Sequence, residues 1–283
     1  MASAAMDGRV VVITGATGGI GKAAAIALAQ QGASVVLVAR DMGRGEEVRA
    51  AVREATGKEA ELLLADLGVQ AEVRRLASEL LERFPKIHVL LNNAGVVNLK
   101  REVTIDGLEA TFAVNHLGPF LLTNLLLERL QESAPARIVN VSSDAHTFGA
   151  LDLDDLQSER RYGVARVYGI SKLCNILFTR ELSRRLAGSG VTVNSLHPGA
   201  VATGLGGNNG PWAKRVLKLL RPFFLTPEKG ADTAVYLASS PEVEGVTGEY
   251  FVKRKVRRPS NAALDDATAK KLWDASLKLT GLA

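Results

Sequence analysis

Short apolar runs rich in β-branched residues alternate with helical stretches along nearly the whole chain. Residues 10–14, 34–39, 60–64, 87–92, 137–142, 191–196 and 250–252 read as strands. Residues 19–31, 46–55, 69–84, 162–186 and 227–238 read as helices, as does a long segment, 105–130, with an interior irregularity near Gly118-Pro119. Gly32 and Pro85 suit helix stops, and Thr226 followed by Pro227 suits a helix start. Strands that are apolar on both faces must be covered on both. The alternation therefore points to an α/β fold with a parallel sheet between two helical layers. No Pro/Gly/Ser-rich linker and no internal repeat interrupts the 283 residues, so a single domain, 1–283, is expected, with residues 1–8 flexible.

The bulk chemistry narrows the function classes. With 47% hydrophobic and 23% charged residues, the chain suits a packed globular protein rather than a disordered one. The net charge of +5 arises from interleaved acids and bases, with one dense basic run, KRKVRR at 253–258, and no nucleic-acid motif; no nucleic-acid partner is expected. A modest positive field also suits a phosphate-rich cofactor. Cys174 is the only cysteine, which excludes an internal disulfide, and its helical setting reads as core. His88, His116, His146 and His197 are scattered without zinc spacing, so no metal is expected. The opening MASAAMDGRV has no apolar signal core, and no run of about 18 apolar residues occurs. A cytoplasmic protein without a transmembrane segment is expected. Asn140-Val141-Ser142 matches a glycosylation triplet but falls in a buried strand and is set aside.

The first strand runs straight into TGATGGIG, residues 14–21, and then a helix. Glycines at such a turn let the backbone approach a pyrophosphate, and the helix N-terminus offers free N–H groups and a positive dipole end. A P-loop would need a glycine at Ala16 and Ser or Thr at Ala23, and has neither. After the second strand come Arg40 and Asp41, with Arg44 nearby. An arginine there accommodates a ribose 2′-phosphate and favours NADP(H); an acid would bond a free 2′-hydroxyl, so Asp41 with Arg40 merely solvated is the rival reading, for NAD(H). Asp66 follows the third strand, placed to accept from an adenine amino group. Asn92-Asn93-Ala94-Gly95 follows the fourth, at the sheet edge where ligands bind.

Tyr168 and Lys172 are one helical turn apart and share a face. A nearby ammonium is expected to lower the phenol's pKa and make it a general acid/base for neutral pH. Ser142-Ser143 ends the strand before that helix, where a hydroxyl can hold a substrate oxygen. Asn115, beside the Gly118-Pro119 irregularity, is placed to bind a water that relays protons to Lys172. His197-Pro198-Gly199, followed by Thr203, lies after the sixth strand, placed to cover a nicotinamide and contact phosphate.

The motifs TGATGGIG, NNAG, NHLG, VSS, YGISK and HPGAVAT, in this order and over almost the whole chain, resemble the short-chain dehydrogenase/reductase family. The resemblance implies a Rossmann-type, doubly wound, mostly parallel seven-stranded sheet and direct hydride transfer without metal. It implies a catalytic tetrad of Asn115, Ser143, Tyr168 and Lys172, the lysine also gripping the nicotinamide ribose. It further implies coenzyme contacts from Gly15, Thr17, Gly19, Ile20 and Gly21; from Arg40, Asp66 and Leu67; from Asn93, Ala94 and Gly95; and from Pro198, Gly199, Val201 and Thr203, besides Tyr168 and Lys172. The segments LTNLLLERL, ARIVNVSSDAH, DLQSERRY, SKLCNILFTRELSRRL, GVTVNSLHPGAV and KKLWDASLKLTGL look most like the retinol dehydrogenase branch. There the serine lies 25 residues before the tyrosine, which selects Ser143 over Ser142. Two features depart from the pattern: no membrane-anchoring segment opens the chain, and Thr17 stands where many relatives have Asn.

Residues 204–225 mix Trp212, Leu217, Phe223 and Phe224 with Lys214, Arg215, Lys218 and Arg221. A substrate lid over an apolar pocket is the leading reading, ahead of an ordinary surface helix and of peripheral membrane contact. The expected substrate is a small lipophilic alcohol with its aldehyde or ketone. The alternatives are a carbonyl reductase for steroid, aromatic or lipid carbonyls, and a catalytically weak cofactor-sensing binding protein. Either a homodimer or a monomer is compatible with the pattern.

Overall fold

A computed structural model describes residues 5–201 and 225–283. Among the described residues seven strands are parallel: β1 (Val10–Thr14), β2 (Ser34–Ala39), β3 (Glu61–Leu64), β4 (Val89–Asn92), β5 (Ala136–Val141), β6 (Val191–His197) and β7 (Tyr250–Val252). A two-residue eighth, β8 (Lys255–Val256), pairs antiparallel with β7, one strand more than the seven expected. Lys253 and Arg254 adopt positive φ in the turn between them, and Arg254 pairs with Asp232. Four of the six residues of the dense basic run, Lys253–Val256, therefore lie in a hairpin.

The order β3-β2-β1-β4-β5-β6-β7-β8 reverses direction between β1 and β4. In a doubly wound sheet that reversal opens a crevice at the strands' C-terminal ends. Helices α1 (Gly19–Gln30), α2 (Met42–Thr56) and α8 (Pro227–Ser239) cover one face, where Ala24, Ala25 and Leu28 meet Val11, Ile13 and Leu37. Helices α3 (Gln70–Arg83), α5 (Gly118–Leu125) and α7 (Val164–Arg185) cover the other, where Leu76, Leu80, Phe120 and Phe178 meet Val12, Leu90 and Ile138. No described helix is long and apolar enough to cross a membrane.

Three local differences from the sequence reading have side-chain causes. Helix α2 begins at Met42, not near residue 46, because the Asp41 carboxylate accepts from the Arg44 N–H at 2.8 Å and caps it. The 105–130 segment is not one helix. Buried Glu109 accepts from the Thr111 and Phe112 N–H groups and starts α4 (Ala110–Phe112). A π-helical turn, Ala113–Leu117, follows, then α5, then α6 (Leu127–Glu132). The irregularity expected near Gly118 is thus this π turn, which holds Asn115; Gly118 packs so closely that a Cβ would lie 2.4 Å from the Leu67 carbonyl oxygen. Last, α9 (Asp266–Leu279) was not foreseen. Asp265 caps it, and Trp273 packs against Phe120 and Phe178 at centroid distances of 4.9 and 5.9 Å. Of the stretch expected to be flexible, residues 5–8 are described; there Met6 is buried and its N–H donates to the Gln31 carbonyl at 2.9 Å. The 204–225 segment lies outside the described residues but for Leu225, which bridges to Val201.

Candidate active site

A cleft of about 970 Å³ opens at the β1/β4 reversal. Its floor is the glycine turn after β1. Gly15 has φ +64°, and a Cβ there would sit 2.7 Å from the Ala94 Cα, so both conformation and space require glycine. The Asn93 side chain donates to the Thr14 and Gly15 carbonyls at 2.9 and 3.1 Å, and the Thr14 hydroxyl accepts from the Asn93 and Ala94 N–H groups. The NNAG segment therefore buttresses the turn. Helix α1 has no side-chain cap and no acid in its first turn, so its leading N–H groups face the cleft uncompensated.

Gly15, Thr17, Gly19 and Ile20 line this floor. Gly21 does not line the cleft; a Cβ there would meet the Gly15 carbonyl oxygen at 2.4 Å, so Gly21 lets the helix pack on the turn. One wall carries Arg40, Asp66 and Leu67. Arg40 lies 3.8 Å from the Asp66 carboxylate, and the Arg44 guanidinium donates to the Thr17 carbonyl at 3.2 Å. Asp41 also borders the cleft, with one carboxylate oxygen engaged in capping α2. Ala94 and Gly95 lie on the floor, and Pro198, Gly199 and Val201 on the opposite side; Thr203 falls outside the described residues.

At the far end stand Ser143, Tyr168 and Lys172. Strand β5 delivers Ser143, and α7 presents Tyr168 and Lys172 on one face. The two elements touch through glycines. A Cβ on Gly149 would lie 2.7 Å from the Gly169 carbonyl oxygen, and one on Gly169 would lie 2.6 Å from that of Ala145. Only bare backbone lets the turn after Ser143 come this close to Tyr168. The serines then divide. The Ser142 hydroxyl is buried and donates to the Lys172 carbonyl at 2.7 Å, whereas the Ser143 hydroxyl lines the cleft near Tyr168 and accepts from the Ala145 N–H at 3.1 Å.

Lys172 is buried, with its ammonium donating to the Val141 carbonyl at 3.0 Å and lying 5.5 Å from the centre of the Tyr168 ring. Burial brings its pKa down to about 8. The phenol does not follow the expectation of a lowered pKa. Burial pushes Tyr168 up to about 12, against a smaller lowering by the nearby Ser143 hydroxyl. Desolvation disfavours the phenolate more than the neighbours favour it. Tyr168 thus holds its proton at neutral pH, beside a lysine still largely charged.

Asn115 does not line the cleft. Fully buried in the π turn, its amide accepts from the Val96 N–H at 2.7 Å and donates to the Val96 carbonyl and the Ser171 hydroxyl, each at 3.0 Å. It contacts the site through Gly95, whose Cβ position lies 3.4 Å from the Asn115 Oδ1 and 3.5 Å from the Lys172 Nζ. The sequence reading missed Phe148, which is 71% exposed on the cleft rim, and Asp144 beside it. Phe148 stands in none of the quoted segments and Asp144 only within ARIVNVSSDAH, with no role assigned to it; their position follows from a 3₁₀ turn, Asp144–Phe148. Among the described residues no cluster fit to hold a metal occurs.

A sequence model described as short chain dehydrogenase matches residues 9–214. Retinol dehydrogenase 14 from Homo sapiens is 44% identical, the match covering 98% of this chain and 88% of that protein. Retinol dehydrogenase 13 from Homo sapiens is 42% identical, over 99% and 86%. Among solved structures, an uncharacterized protein from Mycobacterium paratuberculosis superposes with a TM-score of 0.79 at 34% identity, covering 97% of this chain and 94% of its own. The Pseudomonas aeruginosa RhlG/NADP active-site complex superposes with a TM-score of 0.70 at 28% identity, over 89% and 97%.

Proposed function

The chain belongs to the short chain dehydrogenase family of oxidoreductases acting on CH–OH groups, and from that premise we propose that it interconverts a lipophilic alcohol and its aldehyde or ketone with NADP(H), in the manner of a retinol dehydrogenase. The observation that carries this reading is the meeting of Ser143, Tyr168 and Lys172 at one end of a cleft whose other end has arginines and free helix N–H groups.

The residues present fit a dinucleotide. The uncapped first turn of α1 and the bare backbone at Gly15 and Gly19 would take the pyrophosphate. Arg40 and Arg44 would take the 2′-phosphate. Asp66, Leu67, Asn93, Ala94, Gly95, Pro198, Gly199 and Val201 would line the rest, with Thr203 placed by sequence alone. When bound, the nicotinamide supplies or receives the hydride.

The protein's own part is to hold the carbonyl oxygen and manage one proton. The Ser143 hydroxyl and the Tyr168 phenol would both donate to that oxygen. Tyr168 would pass its proton to the oxygen as negative charge develops there, and the charged Lys172 would stabilise the phenolate left behind. Asn115 would set the floor at Val96 and Gly95 on which Lys172 rests. The exposed ring of Phe148 supports an apolar substrate.

NADPH consumption with retinal and with short aliphatic, aromatic and steroid carbonyls tests the reading. Turnover is expected with the longer apolar aldehydes; tight NADPH binding with no turnover on any carbonyl would replace it with a coenzyme-sensing role.

Coenzyme choice has its own test. Arg40→Asp is expected to lower kcat/KM with NADPH by roughly 10- to 100-fold, the range for losing a charge-assisted hydrogen bond, and to leave NADH less affected. An unchanged NADPH/NADH ratio would leave the 2′-phosphate to Arg44 alone.

A further inference from the structure

His146 is 2% exposed and takes no part in the chemistry described above. Both its ring nitrogens are engaged. Nε2 accepts from the Ser260 backbone N–H at 3.0 Å, so the ring proton belongs on Nδ1, which lies 2.8 Å from the Ser143 carbonyl oxygen. The bond to Ser260 therefore selects the tautomer that grips Ser143. The ring packs edge-on against Tyr250 at 5.2 Å, and the Tyr250 hydroxyl donates to the Asp144 carboxylate at 2.7 Å. The Asp144 N–H in turn donates to His197 Nδ1 at 3.2 Å. The segment after β7 and the end of β6 thus hold the peptide group that directly follows the Ser143 side chain.

We propose that His146 is a positioning residue: it relays the fixed Ser260 backbone to the Ser143 carbonyl and so aims the Ser143 hydroxyl at Tyr168. The proposal rests on the catalytic reading of Ser143 and Tyr168. The two conservative substitutions separate its two bonds. In His146→Asn the amide nitrogen stands where Nδ1 was and still donates to Ser143, but cannot reach Ser260. In His146→Gln the side-chain amide reaches Ser260 and offers nothing to Ser143, whose carbonyl keeps only the bond from the backbone N–H of residue 146 at 3.0 Å.

The experiment measures kcat, substrate KM, NADPH Kd and thermal unfolding for the wild type and both variants with an aldehyde substrate. His146→Gln is expected to lose kcat by at least about tenfold and His146→Asn by no more than about threefold, with NADPH Kd unchanged in both, because a misplaced hydroxyl costs turnover rather than coenzyme affinity. A merely structural histidine would lower Tm in both and give them the same kcat. Equal kcat for the two variants, or a wild-type kcat in His146→Gln, would overturn the proposal. Ser260→Pro decides independently, even if neither His146 variant folds. The Ser260 φ of −59° suits proline, and the substitution removes the N–H that sets the tautomer together with a hydroxyl that makes no hydrogen bond. A lowered kcat is expected, and a wild-type kcat would overturn the proposal. A wild type without turnover on any carbonyl would sink the catalytic reading as well, whereas an active wild type with equal variants would sink this inference alone.

Discussion

Tyr168→Phe is expected to lower turnover by about 10³-fold while leaving NADPH affinity close to that of the wild type. In the proposed reaction the phenol hands its proton to the carbonyl oxygen, and burial keeps it protonated, at about 12. Phenylalanine keeps the ring and its packing on α7 but cannot give that proton. Steady-state NADPH oxidation gives the turnover, and quenching of NADPH fluorescence gives the affinity. Turnover within tenfold of the wild type would remove Tyr168 from the acid/base role.

Lys172→Met is expected to do two opposite things: lower turnover by about 10²-fold or more, and raise thermal stability. The folded pKa, about 8, lies below the ordinary 10.5. At pH 7 the lysine is charged in both states, and burying that charge costs roughly 3 kcal/mol on the pKa difference. Between these values the unfolded chain binds the extra proton, so wild-type stability should rise as pH rises from about 8 to 10.5. Methionine fills similar volume without the charge. The Val141 carbonyl, which loses the ammonium, still accepts from the Asn175 amide at 3.3 Å. A Tm higher by a few degrees and the loss of that pH-dependent rise are expected in scanning calorimetry. A lower Tm at pH 7 would show that the ammonium stabilises the fold rather than burdening it.

Much of the site was legible because backbone chemistry leaves a strong mark on sequence. The glycine turn after β1, the NNAG segment and the Tyr168/Lys172 pair are local patterns, and each lines the cleft. Gly21 packs against the turn rather than lining the cleft, a difference that spacing cannot show, since it does not tell a glycine that faces a ligand from one that lets a helix pack. What depends on contacts between distant residues was harder to read. Periodicity in 105–130 shows a buried helical stretch but not that Glu109 starts it or that a π turn carries Asn115. Helix α9 escaped notice although Asp265 is an ordinary cap, since its apolar stripe is short and its partners, Phe120 and Phe178, are far away in sequence. The direction of the Tyr168 shift was misread for a related reason. The lysine's proximity is visible in the spacing, whereas the desolvation that outweighs it comes from the whole fold.

The pH dependence of kcat/KM for carbonyl reduction tests most directly whether a protonated phenol beside a charged lysine does the work. With Tyr168 near 12 and Lys172 near 8, the expected profile is flat below about pH 8 and falls above it as Lys172 loses its proton. A rate that climbs from pH 8 to 10 would contradict this, since it would make the deprotonated form the active one.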